Sequence, residues 1–194
     1  MVRTNELEFG VLEAGEGPLA VCLHGFPDSA HTWRHLLPAL AEAGFHAVAF
    51  HHALDGDGDA VLIGHDWGAE AANGAAAFAP DRWRRVVTLG VPPLALDPVL
   101  YSDYQQLKRF FYLFWSRDSL APAAEVVAAS HQAQQPTLYL HGSLDGCIGV
   151  ELVRGAERHL APGSRMIVVE GAGHFPHLEQ PEEVKEHILA WATG

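Results

Sequence analysis

The sequence predicts an α/β fold: a doubly wound, mostly parallel sheet covered by helices, formed from 194 residues. Three observations carry this. Short apolar runs alternate with helix-like stretches along most of the chain. The apolar run 60–63 leads directly into Gly64-His65-Asp66-Trp67-Gly68 and then an Ala-rich stretch, which reads as strand, sharp turn and helix. Two later apolar runs each end in a Gly-containing loop bearing an acid or a histidine: His141-Gly142-Ser143-Leu144-Asp145 and Gly171-Ala172-Gly173-His174. In a doubly wound sheet such loops emerge at the carboxyl edge, where active sites form.

The elements follow in order. Residues 6–14 read as a first strand or hairpin arm, closed by Gly15-Glu16-Gly17-Pro18, and residues 19–23 as a short buried strand. Residues 32–43 form an amphipathic helix, with Trp33, Leu36, Leu37 and Leu40 on one face and Gly44 past its end. Strands are expected at 45–50, 60–63, 85–89, 137–140 and 166–169. Helices are expected at 68–79, 150–160 and 181–191, the last with Pro181 in its first turn and Glu182 and Glu183 at its positive end.

Two places break the rhythm. Only nine residues, 51–59, separate two strands that should be parallel, and such a crossover normally takes a dozen or more. Extended at about 3.3 Å each they reach roughly 30 Å. That is enough to return along a strand of about 17 Å, but nothing is left for a covering helix. The second is 91–135, a Pro-flanked, aromatic-rich insertion with an aromatic helix over 101–115. The organisation expected is a core of 1–90 and 136–194 with 91–135 as a shortened lid.

Composition narrows the function. Apolar residues make up 48% and charged residues 19%, as in ordinary globular proteins, and the net charge of −12 argues against nucleic acid or anionic membranes as partners. No apolar run reaches membrane-spanning length and the N-terminus has no signal-peptide core, so a cytoplasmic protein is expected, with Cys22 and Cys147 as free thiols.

The chemistry centres on Asp66. Gly-x-nucleophile-x-Gly after a strand is the layout of a nucleophile elbow. A carboxylate at its centre points to displacement at carbon through an ester on the enzyme, and away from acyl transfer. The competing reading is a plain helix cap; Gly64 and Gly68, at the two close-packing positions, favour the nucleophile. His24-Gly25-Phe26-Pro27 follows another strand. It is either a strand-to-loop turn or an oxyanion hole in which the N–H groups of Phe26 and Trp67 converge. Asp66, Asp145 and His174 stand in the order nucleophile, acid, histidine. Asp145 alone would also suit an Asx turn.

Together, His24-Gly25-Phe26-Pro27-Asp28 and Gly64-His65-Asp66-Trp67-Gly68 resemble the α/β-hydrolase family, specifically its epoxide hydrolase and haloalkane dehalogenase branch, and most of all the epoxide hydrolases. The likeness covers 6–50, 60–115 and 137–191. It implies that Asp66 attacks a substrate carbon, and that neutral His174, oriented by Asp145, then activates water to hydrolyse the alkyl ester. It implies no cofactor, no metal, and a small apolar epoxide or halide as partner. Two lid tyrosines activate the epoxide in that family. Tyr112 lies where the first is expected, with aromatic packing as its alternative; the only later tyrosine, Tyr139, falls in a core strand.

The chain departs from the family in two ways. The Arg-Gly-x-Gly-type segment with its crossover helix is absent, and much of the lid is missing. Exposed apolar sheet surface, self-association through the sheet or lid, and a wetter site are the expected consequences. A dehalogenase is the rival enzyme, with the Trp67 indole on the leaving halide, although Phe26 stands where those enzymes place a polar halide partner. An inactive scaffold is the rival outside enzymes. Asp55-Gly56-Asp57-Gly58-Asp59 starts like a calcium loop but continues with Ala60 in place of the needed Gly. His31 and His35 lie one helical turn apart without the His-Glu-x-x-His pattern. Neither is read as a metal site.

Overall fold

In the computed structural model, the residues described are 2–4, 7–25, 28–50, 60–93, 96–110 and 134–194. A small antiparallel pair, β1 (Val2–Thr4) and β2 (Leu7–Phe9), precedes the main sheet. The main sheet has seven strands: β3 (Val11–Ala14), β4 (Leu19–Leu23), β5 (His46–Phe50), β6 (Ala60–His65), β7 (Trp83–Leu89), β8 (Thr137–Gly142) and β9 (Arg165–Val169). Their order is β3-β5-β4-β6-β7-β8-β9. Only β3 runs antiparallel, against β5; the other neighbours are parallel.

The helices are α1 (Leu36–Glu42), α2 (Trp67–Phe78), α3 (Asp97–Leu100), α4 (Tyr104–Arg109), α5 (Val150–Val153), α6 (Pro176–Glu179) and α7 (Pro181–Thr193). One face of the sheet, through Ala20, Cys22, Ala47, Ile63 and Leu140, packs on Leu37 and Leu40 of α1 and Val184 and Ile188 of α7. The other, through Val21, Leu23, Leu62 and Val86, packs on Ala72 and Ala76 of α2. Alanines on α2 let it approach the sheet closely. Every residue of β6 and β8 is buried, as expected of parallel strands covered on both faces.

This topology positions the site. From β4 the chain crosses through α1 to β5 on one side; from β6 it crosses through α2 to β7 on the other. The winding therefore reverses between β4 and β6, which pair from Ala20↔Val61 to Leu23↔Gly64. A crevice opens beyond the carboxyl ends of strands at such a switch point. His24 and Gly25 follow β4 there, and Asp66 follows β6.

Several boundaries differ from expectation for identifiable reasons. The expected helix 32–43 is a 3-10 turn at Ala30–Trp33 followed by α1 from Leu36. Pro38 lacks an N–H and its ring excludes a helical carbonyl four residues back, so it is tolerated only in a first turn. The expected helix 150–160 is α5 plus a 3-10 turn at Ala156–His159, interrupted where Gly155 adopts φ +82°. The strand expected over 6–14 is divided at Gly10 between β2 and β3. Residues 101–110 supply α4 but no aromatic helix as long as expected; 111–115 lie outside the described residues, as do 51–59 and Tyr112.

A right-handed crossover from β5 to β6 would lie on the α2 side of the sheet. Apolar surface was expected to be bare there. Instead Val21 is 0% and Val48 is 4% exposed. The insertion is also tied to the core: Leu96, Leu100 and Phe110 pack with Tyr139, Ile148 and Val153. Cys22 is buried, Cys147 is half-buried, and neither is in a disulfide. Among the described residues, no helix is long and apolar enough to cross a membrane.

Candidate active site

Asp66 sits between β6 and α2 with φ +55° and ψ −124°, and is the one non-glycine residue with positive φ among those described. L-residues avoid this region, and where it occurs the surrounding structure must enforce it. Here the enforcement is visible. A Cβ on Gly64 would overlap the carbonyl of Gly68, and one on Gly68 would overlap the carbonyl of Leu23. Both glycines permit the turn to close against β4. The Asp66 N–H donates to the Leu89 carbonyl at 3.2 Å. The Asp66 side chain makes no capping hydrogen bond to α2, so the helix-cap reading fails. The carboxylate is buried and directed at His174 instead.

His174 joins the two acids. Its Nε2 lies 3.3 Å from Asp66 Oδ2, and its Nδ1 lies 2.8 Å from Asp145 Oδ2. The other Asp145 oxygen accepts the N–H groups of Cys147 at 2.7 Å and Ile148 at 2.9 Å. The Asx turn and the orienting role thus coexist in one carboxylate. The three residues that the sequence singled out come from the ends of β6, β8 and β9 and converge.

The charges are coupled. Burial by itself would lower the His174 pKa, but hydrogen bonds to Asp145 and then to Asp66 outweigh it and raise the value to about 10. Burial would raise Asp145; the hydrogen bond and positive charge of His174 hold it below the usual carboxylate value. His141 supports the same acid from behind. Its Nδ1 lies 2.7 Å from the Tyr139 hydroxyl and its Nε2 3.1 Å from the Ile148 carbonyl, with Asp145 Oδ2 at 3.8 Å. With neutral Nδ1 accepting from the tyrosine, Nε2–H donates to that carbonyl.

The oxyanion region is defined on one side. A Cβ on Gly25 would overlap Asp66 Oδ1, so the loop after β4 packs directly on the acid. Trp67 is the first residue of α2, where backbone N–H groups have no intrahelical acceptor. Phe26 and Pro27 lie outside the described residues. His24 Nδ1 pairs with the Gly25 carbonyl at 2.8 Å, which fixes the turn.

The alpha/beta hydrolase family matches residues 45–187, most of the chain and all three converging residues. This chain belongs to the alpha/beta hydrolase family. The chain is 36% identical over 119 residues to an epoxide hydrolase of Caballeronia sordidicola, an alignment covering 47% of this chain and 36% of the relative. It is 32% identical over 159 residues to epoxide hydrolase A of Mycobacterium tuberculosis, covering 65% of this chain and 49% of the relative. The chain therefore spans half or less of the length of these curated relatives. Among solved structures, an epoxide hydrolase of Bacillus megaterium in complex with an inhibitor superposes with a TM-score of 0.80 at 18% identity, over 100% of this chain and 99% of that one. That likeness establishes the shared fold.

Some residues of the candidate site were not prominent in the sequence. His65, read there only as part of the elbow motif, is fully buried and donates Nε2–H to the His174 carbonyl at 2.8 Å. Glu179 accepts the N–H groups of Gly173 at 2.7 Å and Phe175 at 3.1 Å, holding both flanks of His174. Gln106, from α4, donates to the Cys147 carbonyl at 2.6 Å and accepts the Gly149 N–H at 3.0 Å. It ties the insertion to the loop that carries Asp145. A Glu five residues after a Gly-rich loop histidine was a readable signal; the partner of Gln106, 41 residues away, was not.

Proposed function

We propose that this chain is a cofactor-independent hydrolase that opens epoxides to diols through an ester on Asp66. One observation carries the reading: His174 bridges a buried carboxylate on a strained elbow and a second carboxylate that orients it. Such an arrangement suits a carboxylate nucleophile followed by water activation. The names of the relatives in Caballeronia and Mycobacterium agree with it.

The proton balance favours an epoxide. With both acids ionised, His174 rests protonated. Asp66 attacks an epoxide carbon, the C–O bond breaks, and the alkoxide takes up a proton supplied, directly or through a neighbouring acid, by His174. The Asp66 ester no longer carries charge, so one of the two groups holding the His174 proton is gone. Neutral His174 then accepts a proton from water as that water adds to the ester carbonyl. Collapse releases the diol and restores ionised Asp66 with protonated His174. A leaving halide needs no proton, so the stored proton has no use in dehalogenation.

The net charge of −12 and two cysteines outside any disulfide fit a cytoplasmic enzyme acting on a small uncharged molecule, not on nucleic acid. The test is turnover by the purified protein. Styrene oxide should give phenylethanediol, and 1-bromobutane should release no bromide. Bromide release with untouched styrene oxide contradicts the proposal.

A further inference from the structure

Near the triad, three buried polar atoms have no hydrogen-bond partner: Asp28 Oδ2, His65 Nδ1 and His177 Nδ1. One donor atom from each of these three residues lies within 4.8 Å of the other two. His65 is 0% and His177 4% exposed. Buried polar atoms are nearly always satisfied, and three orphans on residues clustered this closely call for an occupant. They come from three separate segments: the loop after β4, the end of β6 and α6.

The chemistry of the donors selects the occupant. His65 Nε2 faces a carbonyl, the oxygen of His174, which can only accept. Its proton therefore sits on Nε2 and Nδ1 presents a lone pair. His177 Nε2 pairs with the Thr32 hydroxyl; with its proton directed there, His177 Nδ1 also presents a lone pair. Asp28 Oδ1 is engaged by the Ser29 N–H at 2.7 Å, which leaves Oδ2. Two imidazole nitrogens and a carboxylate oxygen then converge as acceptors. A water brings only two protons to three lone pairs. A cation satisfies all three.

We propose that Asp28, His65 and His177 form a binding site for one divalent transition-metal ion of the zinc type. Two imidazoles and one carboxylate are a donor set such ions take, with a fourth position left for water. Both histidines already donate, or can donate, their remote N–H to an oxygen, the outer-shell pattern that orients metal-bound imidazole. Burial holds both rings neutral, so the ion displaces no proton from them. Donors on a tetrahedral ion with bonds of about 2.1 Å lie roughly 3.4 Å apart, so the side chains draw in by about an ångström on binding. The ion would fasten three segments that flank the triad: the loop before Ser29, the elbow strand and the segment after His174.

Zinc is the probe. Chelator-treated full-length protein is titrated with zinc and with cobalt(II), following bound metal per chain, thermal unfolding and the visible cobalt spectrum. One ion per chain, a higher unfolding temperature reversed by chelator, and X-ray absorption showing imidazole nitrogen and oxygen ligands without sulfur are expected. Asp28→Asn and His177→Gln should each weaken binding at least tenfold, while His31→Gln with His35→Gln, at the surface, should not. A well-folded wild type that takes up no stoichiometric metal overturns the proposal, and a bridging water is then the occupant. Metal that follows His31 and His35, or that shows a thiolate ligand, overturns it equally. The wild-type titration and absorption spectrum decide the matter even if a variant fails to fold. None of these readouts depends on epoxide turnover.

Discussion

Asp145 holds His174 with one carboxylate oxygen, 2.8 Å from Nδ1, while its other oxygen closes a turn onto the N–H groups of Cys147 and Ile148. The two duties separate cleanly under substitution. In Asp145→Asn the amide oxygen can still close the turn, but the charge beside His174 is gone. We expect a folded protein whose turnover falls by about 10²–10⁴-fold and whose His174 titrates well below its present value. NMR titration of the imidazole checks this; an unchanged His174 pKa would contradict the coupling.

Gly25 and Gly64 should fail differently. A Cβ at Gly25 meets the Asp66 side chain, so Gly25→Ala is expected to damage activity more than stability. A Cβ at Gly64 meets the backbone of Gly68, which cannot swing away. Gly64→Ala should cost about 1–3 kcal/mol or more, the scale of overpacking in a close-packed region. Urea unfolding and turnover of both variants, measured side by side, distinguish the two effects.

Stability should peak near neutrality. Burial, then the charge of His174, lowers the His65 pKa from 6.5 to about 4. Between these values the unfolded chain binds a proton that the folded chain refuses, so stability falls as pH drops from 6.5 to 4, by up to about 3 kcal/mol for this group. His177, lowered chiefly by burial, acts in the same direction. His174 acts oppositely: its stabilisation is complete below pH 6.5 and is lost as pH rises toward about 10. Urea midpoints from pH 4 to 10 should trace a maximum, and His65→Gln should flatten the acid limb. An acid limb of unchanged slope in that variant would refute the assignment.

Gln106 is the expected link between insertion and site. Gln106→Ala leaves the Cys147 carbonyl and the Gly149 N–H without their partner, at a cost of about 1–3 kcal/mol. Because both groups lie in the loop after Asp145, turnover should fall along with the urea midpoint. Loss of stability with full turnover would show that the insertion does not support the site.

The parts of this molecule legible in the sequence are those set by local pattern. The apolar run before Asp66, the glycines around it and the loops ending in Asp145 and His174 are short-range signals, and the geometry joins them. Even there the sequence left Asp145 between two readings that the structure combines, and it was silent on the resting charge of His174, because that charge depends on distances between segments. Pro38 and Gly155 could have corrected two helix boundaries. The role of Gln106, the burial of Val48 and the meeting of Asp28, His65 and His177 depend on tertiary contacts, which no periodicity encodes. Phe26 and Tyr112 remain sequence expectations.

The central claim is that Asp66 forms the covalent ester and His174 removes it. With His174→Gln the first step should survive and the second should stall. Mass spectrometry of that variant after incubation with styrene oxide should show one added substrate mass, located by proteolysis on the peptide containing Asp66. Alkylation at any other residue, with Asp66 unmodified, would contradict the account.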